Sequence, residues 1–425
     1  MNYSELREYI LAGNANNIIS QIICEEDISK EIERYVSLLD EAYKQYGDGD
    51  YHFISSPGRS EIGGNHTDHQ HGNVVCAGLN IDNLAVAKKS DDNTVRFKDA
   101  GFVIEPVSLN DLEVHPEQYN TSESLIRGIA ARFSQLGYAI GGFDCLCNSR
   151  VLVGSGISSS ACFEVMIAEI FNALYNEDRM NPVDRAIVGQ YAENVFFGKP
   201  SGLMDQMAIS VGGFVTIDFK NPDKPVIENY KFSFADYGYE FVLVNTKGDH
   251  ADLSHEYAAV PNEIKLVGKQ LGVDYLADSS REELIKNLSD IRNTVKNDRA
   301  ILRSLHFFNE NERAVKQKEA IANNDCELLL KLMNESGRSS FQYLQNVYPA
   351  SRPEYQSLAV GLALADTYLR GEGACRVHGG GFDGTIQCIV PADKYLGFEQ
   401  LMYSVFGQDC LLKVKVRPFG TLLII

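Results

Sequence analysis

A glycine–serine turn that runs directly into an apolar helix is the feature that most restricts how this chain can fold. Residues 153–170, VGSGISSSACFEVMIAEI, join two glycines and three consecutive serines to a strongly apolar stretch. Glycine allows a tight turn, and the first amides of a helix have no partner within the helix. Such a helix start binds anions such as nucleotide phosphates, or is an ordinary serine N-cap. The Gly-Lys-Ser/Thr ending of a Walker A loop is missing.

A second polar segment, residues 55–72, reads SSPGRSEIGGNHTDHQHG and follows a short strand that Pro57 and Gly58 are predicted to break. Three interpretations are open for it. It is a polar turn, a metal site at its three histidines, or a sugar pocket in which His66 and Asp68 bind neighbouring hydroxyl groups. Zinc sites favour separated ligand pairs, which disfavours the metal site.

A third segment, AENVFFGKPSGLMDQMAISVGG, contains two carboxylates, Glu193 and Asp205. Two acids at this separation are usually unrelated surface charges. Asp205, however, lies in the apolar run LMDQMAI, where an unpaired charge is costly. The pair is therefore a candidate for holding Mg²⁺ and facing an acceptor hydroxyl.

The glycine-rich segment CRVHGGGFDGTIQCIVP, residues 375–391, contains a match to G-x-G-x-x-G. A dinucleotide-binding site needs a helix after these glycines, but TIQCIV is β-branched and predicts a strand. The segment is therefore a candidate for a backbone loop that approaches a ligand closely.

Composition limits the partners and the compartment. A net charge of −19 argues against nucleic acid and against anionic membranes. The nine cysteines form no C-x-x-C pair, the N-terminus has no apolar signal, and no apolar run approaches 18 residues. These features predict a cytoplasmic protein with reduced thiols and small-molecule partners. Mixed helix and strand patterns along 425 residues predict an α+β fold in two domains, 1–225 and 226–425.

Taken in order, these segments resemble the galactokinase branch of the GHMP kinases. PGRSEIGGNHTDHQHG is similar to P-G-R-V-N-L-I-G-E-H-T-D-Y-N-x-G, and GSGISSSA is similar to G-x-G-L-S-S-S-A. GKPSGLMDQ is similar to G-x-P-C-G-I-M-D-Q, and GACRVHGGGFDG is similar to G-A-R-M-T-G-G-G-F-G-G. NTKGDHADLSHEY resembles the segment that supplies a sugar-contacting tyrosine.

The resemblance implies a ribosomal-protein-like N-terminal domain, a ferredoxin-like C-terminal domain and an active site in the cleft between them. It implies an ATP- and Mg²⁺-dependent kinase that phosphorylates the anomeric hydroxyl of galactose. We expect a monomer or a weak homo-oligomer.

The resemblance also implies roles for individual residues. Asp205 would be the catalytic base or an orienting carboxylate, and Arg59 would stabilise the developing charge. Glu193, with Ser159 or Ser160, would bind Mg²⁺. The triphosphate would be wrapped by Gly154, Ser155, Gly156, Ser158, Ser159 and Ser160. The sugar would be bound by Asn65, His66, Asp68, Gly202 and Tyr257.

The chain departs from the family motifs at several positions, among them the following four. Asn65 replaces a glutamate that contacts the hydroxyl on the sixth carbon of the sugar, and His69 replaces a tyrosine. Galacturonate or another modified galactose is therefore a second candidate substrate, and a different GHMP acceptor is a third. His378 and Asp383 replace a small hydroxyl residue and a glycine. A non-catalytic sugar sensor is a further alternative, although GISSSA, Asp205 and Arg59 are all present.

Overall fold

The structure is a computed structural model that describes residues 1–99, 102–151, 156–199, 201–222, 224–248 and 253–425. Its helices are α1 (Tyr3–Leu11), α2 (Asn16–Ile23), α3 (Ser29–Tyr46), α4 (Ser122–Gln135), α5 (Ser159–Tyr175), α6 (Pro182–Tyr191), α7 (Met204–Val211), α8 (Ser254–Leu271), α9 (Arg281–Lys286), α10 (Leu288–Val295), α11 (Asp298–Ala322), α12 (Cys326–Ser339), α13 (Ser357–Leu369) and α14 (Tyr395–Phe406). Its strands are β1 (His52–Gly63), β2 (Asn73–Lys89), β3 (Thr94–Asp99), β4 (Phe102–Val103), β5 (Val107–Ser108), β6 (Phe143–Ser149), β7 (Phe214–Asp218), β8 (Val226–Tyr230), β9 (Tyr239–Asn245), β10 (Ala374–Val377), β11 (Thr385–Pro391), β12 (Leu411–Val414) and β13 (Leu422–Leu423). This mixture confirms the predicted α+β class.

Nine strands of the described residues form one sheet, which we call the first sheet. Its order is β13-β1-β2-β6-β3-β4, while β5 pairs with β3, and β7 pairs with β2 and β8. The β3–β6 pair is parallel. The long strand β2 pairs with β1 along most of its length, with β7 near its start and with β6 near its end. The sequence segment of residues 55–72 therefore begins inside this sheet.

Different helices cover the two faces of the first sheet, because side chains alternate along each strand. Phe53 and Val86 pack with α1 and α3 on one face. Ile54 and Ala85 pack with α4 and α5 on the other face. The first sheet is therefore the middle layer. The apolar residues of α5 pack against one of its faces.

A second sheet has the order β10-β11-β9-β12, with antiparallel pairing throughout. One of its faces packs against α13 and α14. Its other face, with Leu243 and Ile389, belongs to a core that also contains Val75 of β2 and Met333 of α12. One continuous apolar core thus joins the two sheets.

The prediction that Pro57 and Gly58 break the strand is wrong. β1 continues to Gly63, with a shift in its register against β2 between Pro57 and Arg59. Proline has no N–H for the ladder, and a bulge lets the chain omit that bond without ending the strand. At the bulge the backbone N–H of Arg59 donates to the carbonyl of Ile157, at 3.1 Å. The bulge therefore holds β1 against the chain just before α5.

The predicted division at residue 225 stays a prediction. β8 still pairs with the first sheet, the chain enters the second sheet at β9, and β13 returns to β1. All nine cysteines lie among the described residues, and each is a free thiol. Within the described ranges, no helix combines the length and the apolar character needed to cross a membrane.

Candidate active site

A cavity of about 540 Å³ opens where α5, α7 and α8 meet the glycine loop after β10. It is lined by Arg59, Gly156, Ser158, Ser159, Ser160, Lys199, Asp205, Leu253, Ser254, Tyr257, His378, Gly379, Gly380, Gly381, Asp383, Gly384 and Thr385. Each of the four polar segments contributes to this lining. Segments that are distant in sequence therefore meet at one place.

Arg59 and Asp205 form a two-point ion pair beside the cavity. Arg59 Nε lies 2.7 Å from Asp205 Oδ1, and Arg59 Nη2 lies 2.9 Å from Asp205 Oδ2. The Arg59 side chain is 7% exposed, whereas that of Asp205 is 32% exposed. Burial opposes ionisation of Asp205, but the charge of Arg59 lowers the pKa of the carboxyl below its ordinary value. Asp205 is therefore an ionised carboxylate that a ligand can reach.

The serine run lies at the start of α5, as the sequence predicts. Ser158 has a left-handed backbone, with φ 61°, and its hydroxyl donates to Asp205. The preceding carbonyl of Gly156 accepts a hydrogen bond of 2.7 Å from Arg59 Nη1. Ser159 and Ser160 are half-buried and line the cavity. The predicted phosphate contacts Gly154 and Ser155 lie outside the described residues.

Glu193 lies in a π-helical turn, Ala192–Phe197, that extends α6. Its buried carboxylate accepts hydrogen bonds from Lys199 Nζ at 2.9 Å, Ser201 Oγ at 2.5 Å and Gln206 Nε2 at 2.9 Å. Carboxylate and serine hydroxyl oxygens are ligands that Mg²⁺ prefers. A cation, the Lys199 ammonium, already lies against Glu193. These donor groups therefore fit a divalent ion, provided that Lys199 moves aside.

Glu164 is a buried acid of α5 that the sequence analysis did not single out. Gln206 Nε2 donates to Glu164 Oε2 at 2.9 Å and thereby links it to Glu193. Burial, and then the charge of Glu193, hold the pKa of Glu164 well above its ordinary value. A glutamate within the apolar run ACFEVMIAEI is the signal that could have pointed to it.

The segment of residues 55–72, which we call the sugar segment, places His66 close to Gly380 and Asp68 close to Gly202. His66 Nε2 lies 2.9 Å from the carbonyl oxygen of Gly380. Burial, with a smaller contribution from His69, lowers the pKa of His66 to about 4, so its imidazole is neutral at pH 7. A Cβ added to Gly202 would overlap Asp68 Oδ2. The glycine at position 202 therefore leaves room for the Asp68 carboxylate.

Tyr257 of α8 also lines the cavity. Its hydroxyl donates to the carbonyl of Gly381 at 2.8 Å, and its ring packs edge-on against Phe382 at 5.2 Å between centroids. A Cβ added to Gly380 would lie 2.7 Å from Tyr257 Cε1. Only glycine at position 380 allows this approach, which explains one of the glycines in the segment GGGFDG.

Asn65, a predicted sugar contact, is fully buried. Like His66, Asp68 and Gly202, it is not among the residues that line the cavity. Its amide nitrogen donates to Glu61 at 3.0 Å and to the Gly379 carbonyl at 2.7 Å. Its amide oxygen accepts from Ser340 at 3.1 Å and from Asn346 at 2.9 Å. Two donors and two acceptor positions are the full capacity of an amide. In this structure Asn65 connects the sugar segment to the glycine loop.

Three ionisable side chains of the cavity lining had no role assigned in the sequence analysis: Lys199, His378 and Asp383. Asp383 Oδ1 accepts from the backbone N–H of Gly384 at 2.7 Å. Lys199 lies in the same glycine turn as Gly202, and its charge next to two acids is the signal that could have identified it. Among the described residues, no three His, Cys, Asp or Glu side chains converge as a metal site. The structure therefore does not support a metal site at the three histidines of residues 55–72.

Comparison with known proteins agrees with this geometry. A family model described as the N-terminal domain of GHMP kinases matches residues 124–213, and the galactokinase galactose-binding signature matches residues 41–89. A galactokinase of Clostridium beijerinckii is 31% identical over 389 residues, which cover 84% of this chain and 94% of that protein. The chain belongs to the galactokinase family. It is therefore a phosphotransferase.

Three further proteins are similar to this chain in sequence or in fold. The galactokinase of Clostridium tetani is 28% identical over 84% of this chain and 88% of that protein. The fold is that of the galactokinase of Lactococcus lactis in complex with galactose, with a TM-score of 0.77 at 22% identity over 91% of this chain and 98% of that one. The mevalonate kinase of Methanococcus jannaschii has a TM-score of 0.61 at 15% identity, over 87% and 99%. The predicted GHMP kinase fold is thus confirmed.

Proposed function

We propose that the chain transfers the γ-phosphoryl group of ATP to the anomeric hydroxyl of galactose and so produces galactose 1-phosphate. The ion pair of Arg59 with Asp205 carries the proposal, because it joins the segment of residues 55–72 to Asp205, to which Ser158 of the serine run also donates. An ionised carboxylate at this position is suited to an acceptor hydroxyl that attacks a nearby phosphoryl group. The galactokinases to which the chain is similar support galactose as the acceptor.

In the proposed reaction, the anomeric oxygen forms a bond to the γ-phosphorus while the bond to the β-phosphate oxygen breaks. ADP leaves with the bonding electrons. Asp205 Oδ1 accepts only one of the hydrogen bonds recorded among the described residues, so it has capacity to accept or orient the hydroxyl proton. Arg59 keeps Asp205 ionised and stabilises the charge that develops at the phosphoryl oxygens. Positioning and electrostatics supply most of the acceleration.

The start of α5 would bind the nucleotide. Free amides and hydroxyls there suit a triphosphate, and the proposed contacts are Gly154, Ser155, Gly156, Ser158, Ser159 and Ser160. Glu193, with Ser159 or Ser160, would hold Mg²⁺. The ion would supply positive charge to the phosphate oxygens when it is bound.

The proposed sugar contacts are His66, Asp68, Gly202 and Tyr257, with Asn65 in a supporting position. The charges at the site favour a neutral sugar over galacturonate. Of the described cations that line the cavity, Arg59 pairs with Asp205 and Lys199 pairs with Glu193. A sugar carboxylate would also meet the acidic side chains of Asp68 and Asp205.

An assay of ADP release from Mg–ATP tests the proposal, with galactose, galacturonate, N-acetylgalactosamine and glucose as acceptors. We expect the highest kcat/KM with galactose, and phosphorus NMR should identify an anomeric phosphate as the product. Faster turnover of galacturonate would favour the second candidate substrate. Binding of galactose and ATP without ADP release would identify a sugar sensor instead. We also propose a cytoplasmic location, which the free thiols support, and a monomer or weak homo-oligomer.

A further inference from the structure

His378 is a buried histidine at the cavity whose hydrogen bonds fix the position of its proton. The residue follows β10, is 3% exposed and lines the cavity. Its Nε2 lies 2.9 Å from the Ser60 hydroxyl oxygen. Within the described part of the chain, its Nδ1 is buried and has no hydrogen-bond partner. A buried unpartnered group of this kind is costly unless a ligand satisfies it.

The partners of Ser60 decide which ring nitrogen of His378 carries the proton. Gln387 Nε2 donates to the Ser60 oxygen at 2.6 Å and to the Glu61 carbonyl at 3.2 Å. The carbonyl oxygen of Glu61 can only accept a hydrogen bond, so the Gln387 amide must point its nitrogen towards it. The same nitrogen donates to the Ser60 oxygen, which is therefore an acceptor. The Ser60 hydroxyl hydrogen then has one recorded acceptor among the described residues, which is His378 Nε2. The proton of a neutral His378 therefore lies on Nδ1.

The surroundings keep this imidazole neutral. Burial, and then the nearby charges of Arg59 and Arg376, hold the pKa of His378 well below its ordinary value. If the His378 ring were protonated, its Nε2–H and the Gln387 amide would both donate to the Ser60 oxygen. The hydroxyl hydrogen of Ser60 would then have no acceptor among the described residues. His378 thus presents one N–H donor, from Nδ1, and no net charge.

The Nδ1 donor lies at the end of the cavity where the phosphoryl group would be transferred. A Cβ added to Gly156 would lie 3.2 Å from His378 Nδ1, while Arg59 Nη1 donates to the Gly156 carbonyl. A Cβ added to Gly379 would lie 3.7 Å from Arg59 Nη2. Gly156 is therefore next to both side chains.

We infer that His378 Nδ1–H donates a hydrogen bond to an oxygen of the terminal phosphoryl group of the bound nucleoside triphosphate. This inference rests on the proposed kinase function and adds a phosphoryl contact to it. A neutral donor orients the phosphoryl oxygen beside the guanidinium of Arg59. It does so without adding a second positive charge, which would compete with Arg59 for Asp205.

Two amide substitutions separate the two ring nitrogens. His378→Asn retains a donor at the δ position and loses the contact with Ser60. His378→Gln retains a group that reaches Ser60 and loses the δ donor. Dissociation constants for a non-hydrolysable ATP analogue, for ADP and for galactose would be measured by calorimetry for each variant. Thermal unfolding would be recorded alongside, because Gln should preserve the Ser60 contact and hence stability better than Asn.

We expect His378→Gln to bind the ATP analogue about tenfold to a hundredfold more weakly, as for a lost bond to a charged group. Its affinities for ADP and galactose should stay within about threefold of wild type, and His378→Asn should recover most of the affinity for the analogue. Equal binding by wild type and His378→Gln would overturn the inference, as would an equal loss for ADP. Failure of the wild-type chain to bind the analogue would overturn the kinase proposal and the inference with it.

The proton position can be tested without any ligand. Nitrogen-15 imidazole spectra at pH 7, compared with those of His378→Gln, identify the His378 resonances and distinguish an Nδ1–H from an Nε2–H ring. We expect the neutral Nδ1–H form, and addition of the ATP analogue should shift its Nδ1 resonance. An Nε2–H form or an imidazolium would contradict the inference even if the protein is an active kinase.

Discussion

The Asn65 side-chain amide donates a hydrogen bond of 3.0 Å to the Glu61 carboxylate, and both side chains are buried. Glu61 also pairs with the buried Arg376, at 2.6 Å. The galactokinase motif has the same two residue types in the opposite order, with asparagine at the position of Glu61 and glutamate at that of Asn65. The chain therefore exchanges an amide and a carboxylate within one buried pair.

We predict that Asn65→Glu destabilises the protein rather than changing its sugar preference alone. The variant would bury two carboxylates side by side, with Arg376 as the partner of only one. An uncompensated buried charge costs about 3 kcal/mol or more of unfolding free energy. Urea unfolding at pH 7 measures this loss.

The double variant Glu61→Asn, Asn65→Glu is the matched control, because it restores one amide and one carboxylate. We expect it to recover most of the stability that Asn65→Glu loses. If Asn65→Glu were as stable as wild type, the side chain at position 65 would not be buried next to Glu61 as it is in this structure, and the prediction would be wrong.

The order of the motifs predicted which residues lie near one another better than it predicted their individual contacts. Asp205 and Ser158 lie at helix starts that local sequence determines, whereas the strand bulge at Arg59 also depends on the pairing of β1 with β2. The saturation of Asn65 could not be predicted in this way. Its acceptor oxygen is filled by Ser340 and Asn346, which lie 275 and 281 positions further along the chain.

The fold shows the same difference between local and distant signals. The start of α5 follows from a serine run and an apolar pattern, both of which are local. The continuation of β1 through Pro57 depends on β2, which pairs on both sides of the bulge. The sequence of β1 alone does not show that β2 pairs with it. Pro57 and Gly58 were therefore predicted to break the strand.

We predict that Asp205→Asn lowers kcat by about a hundredfold to ten-thousandfold, which is the usual range for loss of a general base. The amide still accepts a hydrogen bond from Arg59, so the affinity for an ATP analogue should change by less than about threefold. Steady-state kinetics and calorimetry measure both quantities. Asp184→Asn, in the first turn of α6, should keep a kcat near wild type. A kcat near wild type in Asp205→Asn would exclude Asp205 as the base.

We predict that Gly202→Ala raises the KM for sugar by about tenfold, as expected for one lost hydrogen bond to a hydroxyl. The new Cβ would occupy the space of Asp68 Oδ2 and displace that carboxylate. The KM for ATP should be nearly unchanged, because the serine run is not altered. Equal increases in both KM values would indicate a general disturbance of α7 instead of a sugar contact.

Glu310 of α11 provides a pH-dependent contribution to stability. It is fully buried and accepts hydrogen bonds from the backbone N–H of Gly64 at 3.1 Å and from Ser336 Oγ at 2.5 Å. Burial opposes its ionisation, but His306 and then Arg313 lower the pKa of Glu310 to about 2, from an ordinary 4.5. A lowered pKa stabilises the fold above pH 4.5, and the contribution is lost as the pH falls towards 2.

We therefore predict that Glu310→Gln reduces the free energy of unfolding at pH 7 by about 3 kcal/mol. The difference from wild type should shrink as the pH falls below 4.5, which urea unfolding at several pH values would measure. Glu312→Gln, an exposed neighbour on α11, should change stability by less than about 0.5 kcal/mol. A difference between Glu310→Gln and wild type that stays constant with pH would show that the carboxylate is not the stabilising species.

We predict that loss of Lys199 tightens divalent-cation binding, because its ammonium lies against the Glu193 oxygen at which the proposed metal ion would bind. Lys199 Nζ lies 2.9 Å from Glu193 Oε1, and the lysine side chain is 57% exposed. Removing such a partly exposed ammonium should tighten metal binding by about twofold to fivefold. Titration of nucleotide-free Lys199→Met with Mn²⁺, followed by electron paramagnetic resonance, measures the change. Lys318→Met, which breaks the remote pair with Glu228, should leave the Mn²⁺ affinity unchanged. Weaker Mn²⁺ binding in Lys199→Met would contradict the proposed competition between the ammonium and the metal ion.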